Sequence, residues 1–297
     1  MKPSFWGAVA ISSALIPAAH SQAPLPSVSL DELGGQLEDS RGFRPQNRRV
    51  SDHPAQNYRV IIGEDERTPV LDTVYPYSAI GRLDWVLANG FVASWCTGTL
   101  IGPDLVLTNS HCLTNPQTDE FMTSPEYEAG GDRVVFKPNL IQGEAEAEAE
   151  VLHYRSGWDN DQNNAENDWA LLRLAEPLGE QFGYLGWLNL DFTKTFTRSA
   201  VRGTVRVAGY AGDFPTEDYA EYGEPGNTAG LSVNCSIIDA YDDGNRAGLL
   251  FHQCDTNPGV SGSALFVHII PNPQSKGRTG IKQATNKNGS DHESAPA

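Results

Sequence analysis

Positive charge is scarce in this chain of 297 residues. It carries 21 lysines and arginines against 38 aspartates and glutamates, a formal net charge of −17. Phosphate backbones and anionic membrane surfaces repel such a balance, so neither nucleic acid nor membrane is expected as a partner. Beyond the N-terminal stretch there is no apolar run long enough for a transmembrane helix. Cysteine is limited to Cys96, Cys112, Cys235 and Cys254, and no two of them form a CxxC pair. A zinc site is therefore not expected, and neither is any other metal or cofactor. Solenoid-type repeats are lacking. The acidic run "DNDQNNAEND" at 159–168 opens like a calcium loop, with Asp159, Asp161 and Asn163 at alternate positions. It has Asn164 where that loop needs glycine and Ala170 where it needs glutamate, so it reads as a solvated loop.

The chain opens with "MKPSFWGAVAISSALIPAAHSQA". A small basic start, an apolar core and small residues after it form a signal-peptide pattern, assigned to residues 1–21 with cleavage near Ser21 or Ala23. Residues 22–59 are rich in Pro, Ser, Asp and Arg with little apolar periodicity, and read as a flexible leader or propeptide. From "VIIGEDERTPV" onward, short apolar runs such as "DLVLTNS", "DRVVF", "WALLRL" and "TVRVAGY" alternate with Gly, Pro, Asp and Asn. Runs of that length bounded by turn residues predict an all-β fold. The "GEAEAEAEV" stretch at 143–151 reads as a solvated surface segment. An even cysteine count in an exported chain suggests two disulfides, and the pairs nearest in sequence are Cys96–Cys112 and Cys235–Cys254.

The segment "CDTNPGVSGSALF" at 254–266 sets Ser261 between glycines before an apolar run. A serine hydroxyl is a weak nucleophile until a base takes its proton. Among seven histidines, His20, His53, His153, His252, His268 and His292 lie in contexts that read as structural or terminal. His111 lies where the run "DLVLTNS" meets a loop, directly before Cys112. A cystine there would brace a general base. Its second ring nitrogen needs an orienting carboxylate, and Asp168 in "ENDWALLRL" opens an apolar strand.

The order His111, Asp168, Ser261 is the chymotrypsin-type one. With "LTNSHC", "NDWALL" and "GVSGS", the sequence resembles the trypsin-like serine peptidases, over roughly residues 60–270. The finer likeness, carried by "VIIGEDERTPV", "YPYSAIG", "VAGYAGDFP" and "CDTNPGVSGS", is to the V8-like glutamyl endopeptidase branch. The resemblance implies two six-stranded antiparallel β-barrels, at 60–178 and 179–297, with the site between them. It implies that Ser261 is the nucleophile, His111 its base and Asp168 the orienter, with the N–H groups of Gly259 and Ser261 as oxyanion hole. The implied activity is that of a monomeric endopeptidase acting on protein or peptide substrates, and the signal pattern makes it a secreted one. In "NYRVIIGE" a basic residue precedes a β-branched pair where the leader texture ends, which predicts release by cleavage at Arg59–Val60, with the dibasic Arg48–Arg49 as runner-up.

Two features depart from the pattern. Val260 precedes the serine where trypsin has an aspartate for the new N-terminal amine. Lys282 stands where V8-like enzymes carry histidine, and the polar tail reads as leaving the C-terminal barrel incomplete. An inactive, secreted binding protein on the same fold is thus the competing reading. An α/β-hydrolase is opposed by Ser263, where that motif needs glycine, and by the triad order. For specificity, Asp255 at the pocket floor would favour a basic P1 residue. Thr256 and Lys282, assisted by the Val60 amine, would favour an acidic one, and the acidic reading is preferred.

Overall fold

The computed structural model describes residues 42–47, 65–114, 131–158, 167–187, 192–242, 248–268 and 281–285. The turn-bounded apolar runs become strands. A short β1 (Thr68–Pro69) is followed by β2 (Ile80–Val86), β3 (Val92–Leu100), β4 (Leu105–Thr108), β5 (Arg133–Pro138), β6 (Ala149–Ser156) and β7 (Ala170–Leu174). Strands β2 to β7 close into a barrel in the order β2-β3-β4-β7-β6-β5, each pairing antiparallel. Closure leaves no unpaired edge, and alternate residues fill the interior. Leu83, Leu100, Val106, Phe136 and Leu172 meet there, all buried. The Glu-Ala stretch leads into β6 in that alternating way, with Ala149 and Val151 inward and Glu148 and Glu150 outward.

Strand β2 is buried along its whole length, including Arg82 and Asp84. An unpaired buried charge would be costly. Here Asp84 takes Arg82 Nε at 2.6 Å and Lys137 Nζ at 3.0 Å, while Arg82 Nη1 donates to Gly226 O and Asn227 Oδ1, each at 2.9 Å. The cluster joins the barrel to the second half of the chain.

That second half contains β8 (Val205–Gly209), β9 (Gly230–Cys235), β10 (Ile237–Asp242), β11 (Gly248–His252), β12 (Ala264–His268) and β13 (Ile281–Thr285). They form a five-stranded sheet, β1-β9-β8-β12-β13, and a β10-β11 hairpin. Its core holds Val205, Val207, Phe214, Val260 and Leu265. Among the described residues this half is an open sheet, whereas the first half is a closed barrel. The all-β expectation holds, with only a few short helices. Strand β1 precedes the barrel in sequence yet pairs with β9 of the other half, Thr68 opposite Leu231. Both cystines join the cysteines nearest in sequence, Cys96–Cys112 and Cys235–Cys254.

Residues 1–41 and 48–64, with the signal segment, Arg48–Arg49 and Arg59–Val60, lie outside the described residues, as does 159–166 of the acidic run. Residues 42–47 belong to the stretch read as a flexible leader, yet they dock on the body. Phe43 and Tyr184 exchange backbone hydrogen bonds at 2.8 Å and pack their rings 5.4 Å apart, which the polar composition around Phe43 hid.

Candidate active site

His111 owes its position to three local devices. Strand β4 ends at Thr108, a 3-10 turn follows over Ser110–Leu113, and the Cys96–Cys112 cystine ties that turn to β3. Asp168, just before β7, is 3% exposed. Its Oδ1 accepts the His111 backbone N–H at 2.9 Å, and its Oδ2 lies 2.6 Å from His111 Nδ1. A carboxylate oxygen only accepts, so this contact is made by the tautomer in which Nδ1 donates. Two bonds to one residue fix both the ring plane and its backbone, and Nε2 is the nitrogen left for another partner.

Asn109 links Asp168 to the serine loop. Its Nδ2 donates to Asp168 O, and its Oδ1 accepts from Gly262 N, each at 2.5 Å. The carbonyl of Ser261 lies 3.8 Å from Cys112 Sγ, next to His111. His111 is thus bonded to Asp168, and the backbone of Ser261 lies beside the turn that carries His111.

The loop carrying Ser261 is held from several sides. Thr97, fully buried on β3, donates its N–H to Ser261 O at 2.8 Å and its hydroxyl to Gly259 O at 2.8 Å. The same hydroxyl accepts from Tyr210 N at 3.0 Å. Thr108 Oγ1 in turn donates to Thr97 O at 2.8 Å. An amide N–H points opposite to the carbonyl of its own planar peptide unit. The N–H of Gly259 is therefore aimed by Pro258 O, which accepts from Gly212 N at 2.7 Å. That of Ser261 is aimed by Val260 O, which accepts from Ser263 N at 2.9 Å. Among the described residues neither N–H is bonded to a protein acceptor.

Two glycines make the loop possible. Gly259 has φ +98° and Gly262 φ +84°, a region that disfavours a Cβ. A Cβ on Gly259 would strike Tyr210 O and the Trp95 indole, and one on Gly262 would strike Thr108 Oγ1 and Thr97 O. Trp95 is itself fixed, its Nε1 donating to Tyr210 O at 2.8 Å and its ring lying under the Arg82 guanidinium.

The expected specificity residues are more dispersed. The side chain of Asp255 is engaged by the segment ahead of β1, its Oδ2 accepting from Glu66 N at 3.3 Å. Burial raises its pKa, which the Glu66 N–H partly counters. Thr256 is half-buried beside it. Lys282 lies on β13, its backbone opposite Val267, so β12 has a neighbour strand on that side. His252 is buried and accepts the Cys254 N–H on Nδ1 at 2.9 Å, a structural role. The ring of His111 and the sulfurs of Cys96 and Cys112 lie within 4.8 Å of one another. Both sulfurs are spent in the cystine, so they offer no thiolate to a metal.

Sequence reasoning missed the braces of the site: Thr97, Thr108, Asn109 and Trp95. Asn109 had a signal in its place, a polar residue at a strand-to-turn corner two residues before His111, although its side chain bonds Asp168 O and Gly262 N and does not cap the turn. Thr97 and Trp95 had none, because alternation along a strand does not show which loop will lie against it.

Comparisons with known proteins are consistent with this geometry. A family model described as trypsin-like peptidase domain matches residues 96–268, a span that includes His111, Asp168 and Ser261. A glutamyl endopeptidase of Bacillus licheniformis is 28% identical over 207 residues, which cover 69% of this chain and 54% of that protein. The chain thus spans only about half the length of that relative. Human serine protease 23 is 26% identical over 316 residues, covering 93% of this chain and 74% of that protein. Among solved structures, a Glu endopeptidase in complex with MPD superposes with a TM-score of 0.50 at 23% identity, over 77% of this chain and 94% of that one.

Proposed function

Because the chain belongs to the family of trypsin-like peptidase domains, we propose that it is a secreted serine endopeptidase working through His111, Asp168 and Ser261. The observation that carries this reading is the pair of bonds from His111 to the buried Asp168, beside a braced loop that presents Ser261.

In the proposed reaction the Ser261 hydroxyl attacks the carbonyl carbon of the scissile peptide bond while His111 Nε2 takes its proton. Asp168 holds the imidazole in the required tautomer and stabilises the imidazolium as it forms. The N–H groups of Gly259 and Ser261 receive the developing oxyanion. Because hydrogen bonds already aim them, little reorganisation is needed as charge develops. His111 then gives its proton to the leaving amine, and the acyl group stays on Ser261. Water attacks that ester with His111 again as base, releasing the acid and restoring the hydroxyl.

For specificity we favour an acidic P1 residue. The likeness to a glutamyl endopeptidase supports it. The engagement of Asp255 by Glu66 N also supports it, since a carboxylate drawn toward the N-terminal segment is less suited to binding a basic side chain. Thr256, Lys282 and the Val60 amine are the proposed partners of the substrate carboxylate. The test is a pair of peptides differing only in Glu or Arg at P1, assayed with the wild type and Ser261→Ala. Cleavage after Glu that Ser261→Ala abolishes supports the proposal. Faster cleavage after Arg overturns the specificity, and activity retained by Ser261→Ala overturns the mechanism.

A further inference from the structure

The residue before Ser261 is Val260, buried and apolar, so the serine loop offers no carboxylate there to a chain-terminal amine. The loop nevertheless rests on an ionic clamp of another kind. Arg67, just ahead of β1, is 5% exposed. Its guanidinium makes two bidentate pairs. Nε and Nη2 donate to Asp65 at 2.8 and 2.7 Å, and Nη1 and Nη2 donate to Asp213 at 2.9 Å each. The plane also lies over the Phe214 ring, 5.1 Å from its centroid. A flat fork with five donors suits this geometry, and a lysine could not reproduce it.

Asp213 passes the restraint on. Its Oδ2 also accepts from Asn257 Nδ2 at 2.5 Å. One residue along on each side, Gly212 N donates to Pro258 O at 2.7 Å, the bond that aims the Gly259 N–H. Asn257 O in turn accepts from Val260 N at 3.0 Å. The loops around 212–213 and 257–260 are thus stitched by two adjacent contacts, and in the charged one Asp213 is held in place by the Arg67 fork. Burial opposes ionisation of Asp213, yet the bonds from Arg67 and Asn257 outweigh it and hold its carboxyl below the usual range.

We infer that Arg67 is a positioning residue for the serine loop: through Asp213 and Asn257 it keeps the Gly259 and Ser261 N–H groups aimed, so the charge that orders the site is supplied from within the chain. The inference rests on the proposed triad. With Arg67 gone, Asp65 and Asp213 would face each other as like charges, and Asn257 would lose a fixed acceptor.

The experiment compares wild type, Arg67→Gln, Arg67→Lys, Asn257→Ala and Ser261→Ala as full chains. Each is assayed for fluorophosphonate labelling rate, for kcat and KM on a peptide substrate, and for amide hydrogen exchange in the peptide spanning 256–263. Arg67→Gln is expected to slow labelling and lower kcat at least tenfold with KM changed less, and to speed exchange in that peptide. Arg67→Lys should recover part of the loss. Asn257 is exposed, so its truncation leaves the core intact; it should reproduce the defect in weaker form even if Arg67→Gln does not fold. Labelling, kcat and exchange all within twofold of wild type in both Arg67→Gln and Asn257→Ala would overturn the inference. If wild type labels no better than Ser261→Ala, the triad reading fails. The exchange measurement then still decides whether Arg67 orders the loop.

Discussion

Thr97→Val removes one hydroxyl from the centre of the brace while matching the side chain's shape. Valine keeps the backbone bonds, so Thr97 N still reaches Ser261 O and Thr108 Oγ1 still reaches Thr97 O. Two bonds are lost, the one given to Gly259 O and the one received from Tyr210 N. The Tyr210 N–H is then left buried without its acceptor, at a cost of roughly 1–3 kcal/mol, and the partly buried bond to Gly259 O adds about 1 kcal/mol. The expected loss is about 2–4 kcal/mol, which for an ordered region of this size lowers Tm by on the order of 10 °C. Urea unfolding followed by tryptophan fluorescence measures it, with an unchanged slope showing that the folded state is otherwise preserved. A parallel kinetic assay should show kcat falling about tenfold or more, because the Gly259 carbonyl is no longer held. Thr97→Ser should restore both quantities. If Thr97→Val stays within about 0.5 kcal/mol of wild type, the hydroxyl is not the brace described.

Other perturbations probe separate parts of the structure. Gly262→Ala forces a Cβ into Thr108 Oγ1 at a positive φ, and thermal melting should show a loss of about 2–5 kcal/mol. Replacing Cys96 and Cys112 together by serine opens a loop with sequence separation 16, and chemical unfolding should record a loss of about 3 kcal/mol. Activity in that variant should fall by more than in the matching Cys235/Cys254 pair variant, because the first cystine adjoins His111. His252 has an ordinary value of 6.5, and burial pushes it down to about 3 in the folded chain. Between those values the unfolded chain binds a proton that the folded chain refuses. This contribution to stability is therefore full above pH 6.5 and declines as pH falls toward about 3. His252→Gln should reduce the drop in urea midpoint between about pH 7 and pH 5, and an equal drop in both proteins would refute the assignment.

The three residues proposed as the triad drew notice because each sits in a local pattern that chemistry constrains. His111 lies in the turn after a strand and directly before a cysteine, Asp168 stands just ahead of another strand, and Ser261 lies between glycines that permit a positive-φ loop. The cystines were legible for a similar reason, since nearness in sequence favours short loops. The ionic clusters were not. Arg82 and Asp84 alternate with apolar residues as an exposed strand face would, and only barrel closure plus the contact with Gly226 and Asn227 buries them. Arg67 was invisible for a related reason, because its partner Asp213 lies 146 residues away on a loop that periodicity does not describe. Asp255 was expected at a pocket floor, and nothing local to it shows that Glu66 N would draw the carboxylate toward the segment ahead of β1. Phe43 was absorbed into a polar leader because a single aromatic carries no period.

Ser261 is proposed as a nucleophile activated by His111. The most direct measurement is mass-spectrometric mapping of the residue modified by a fluorophosphonate, made on wild type and on His111→Ala. The adduct is expected on Ser261 in wild type, with labelling slowed by several orders of magnitude in His111→Ala. An unmodified Ser261 in folded wild-type protein, or an adduct formed equally fast without His111, would contradict it.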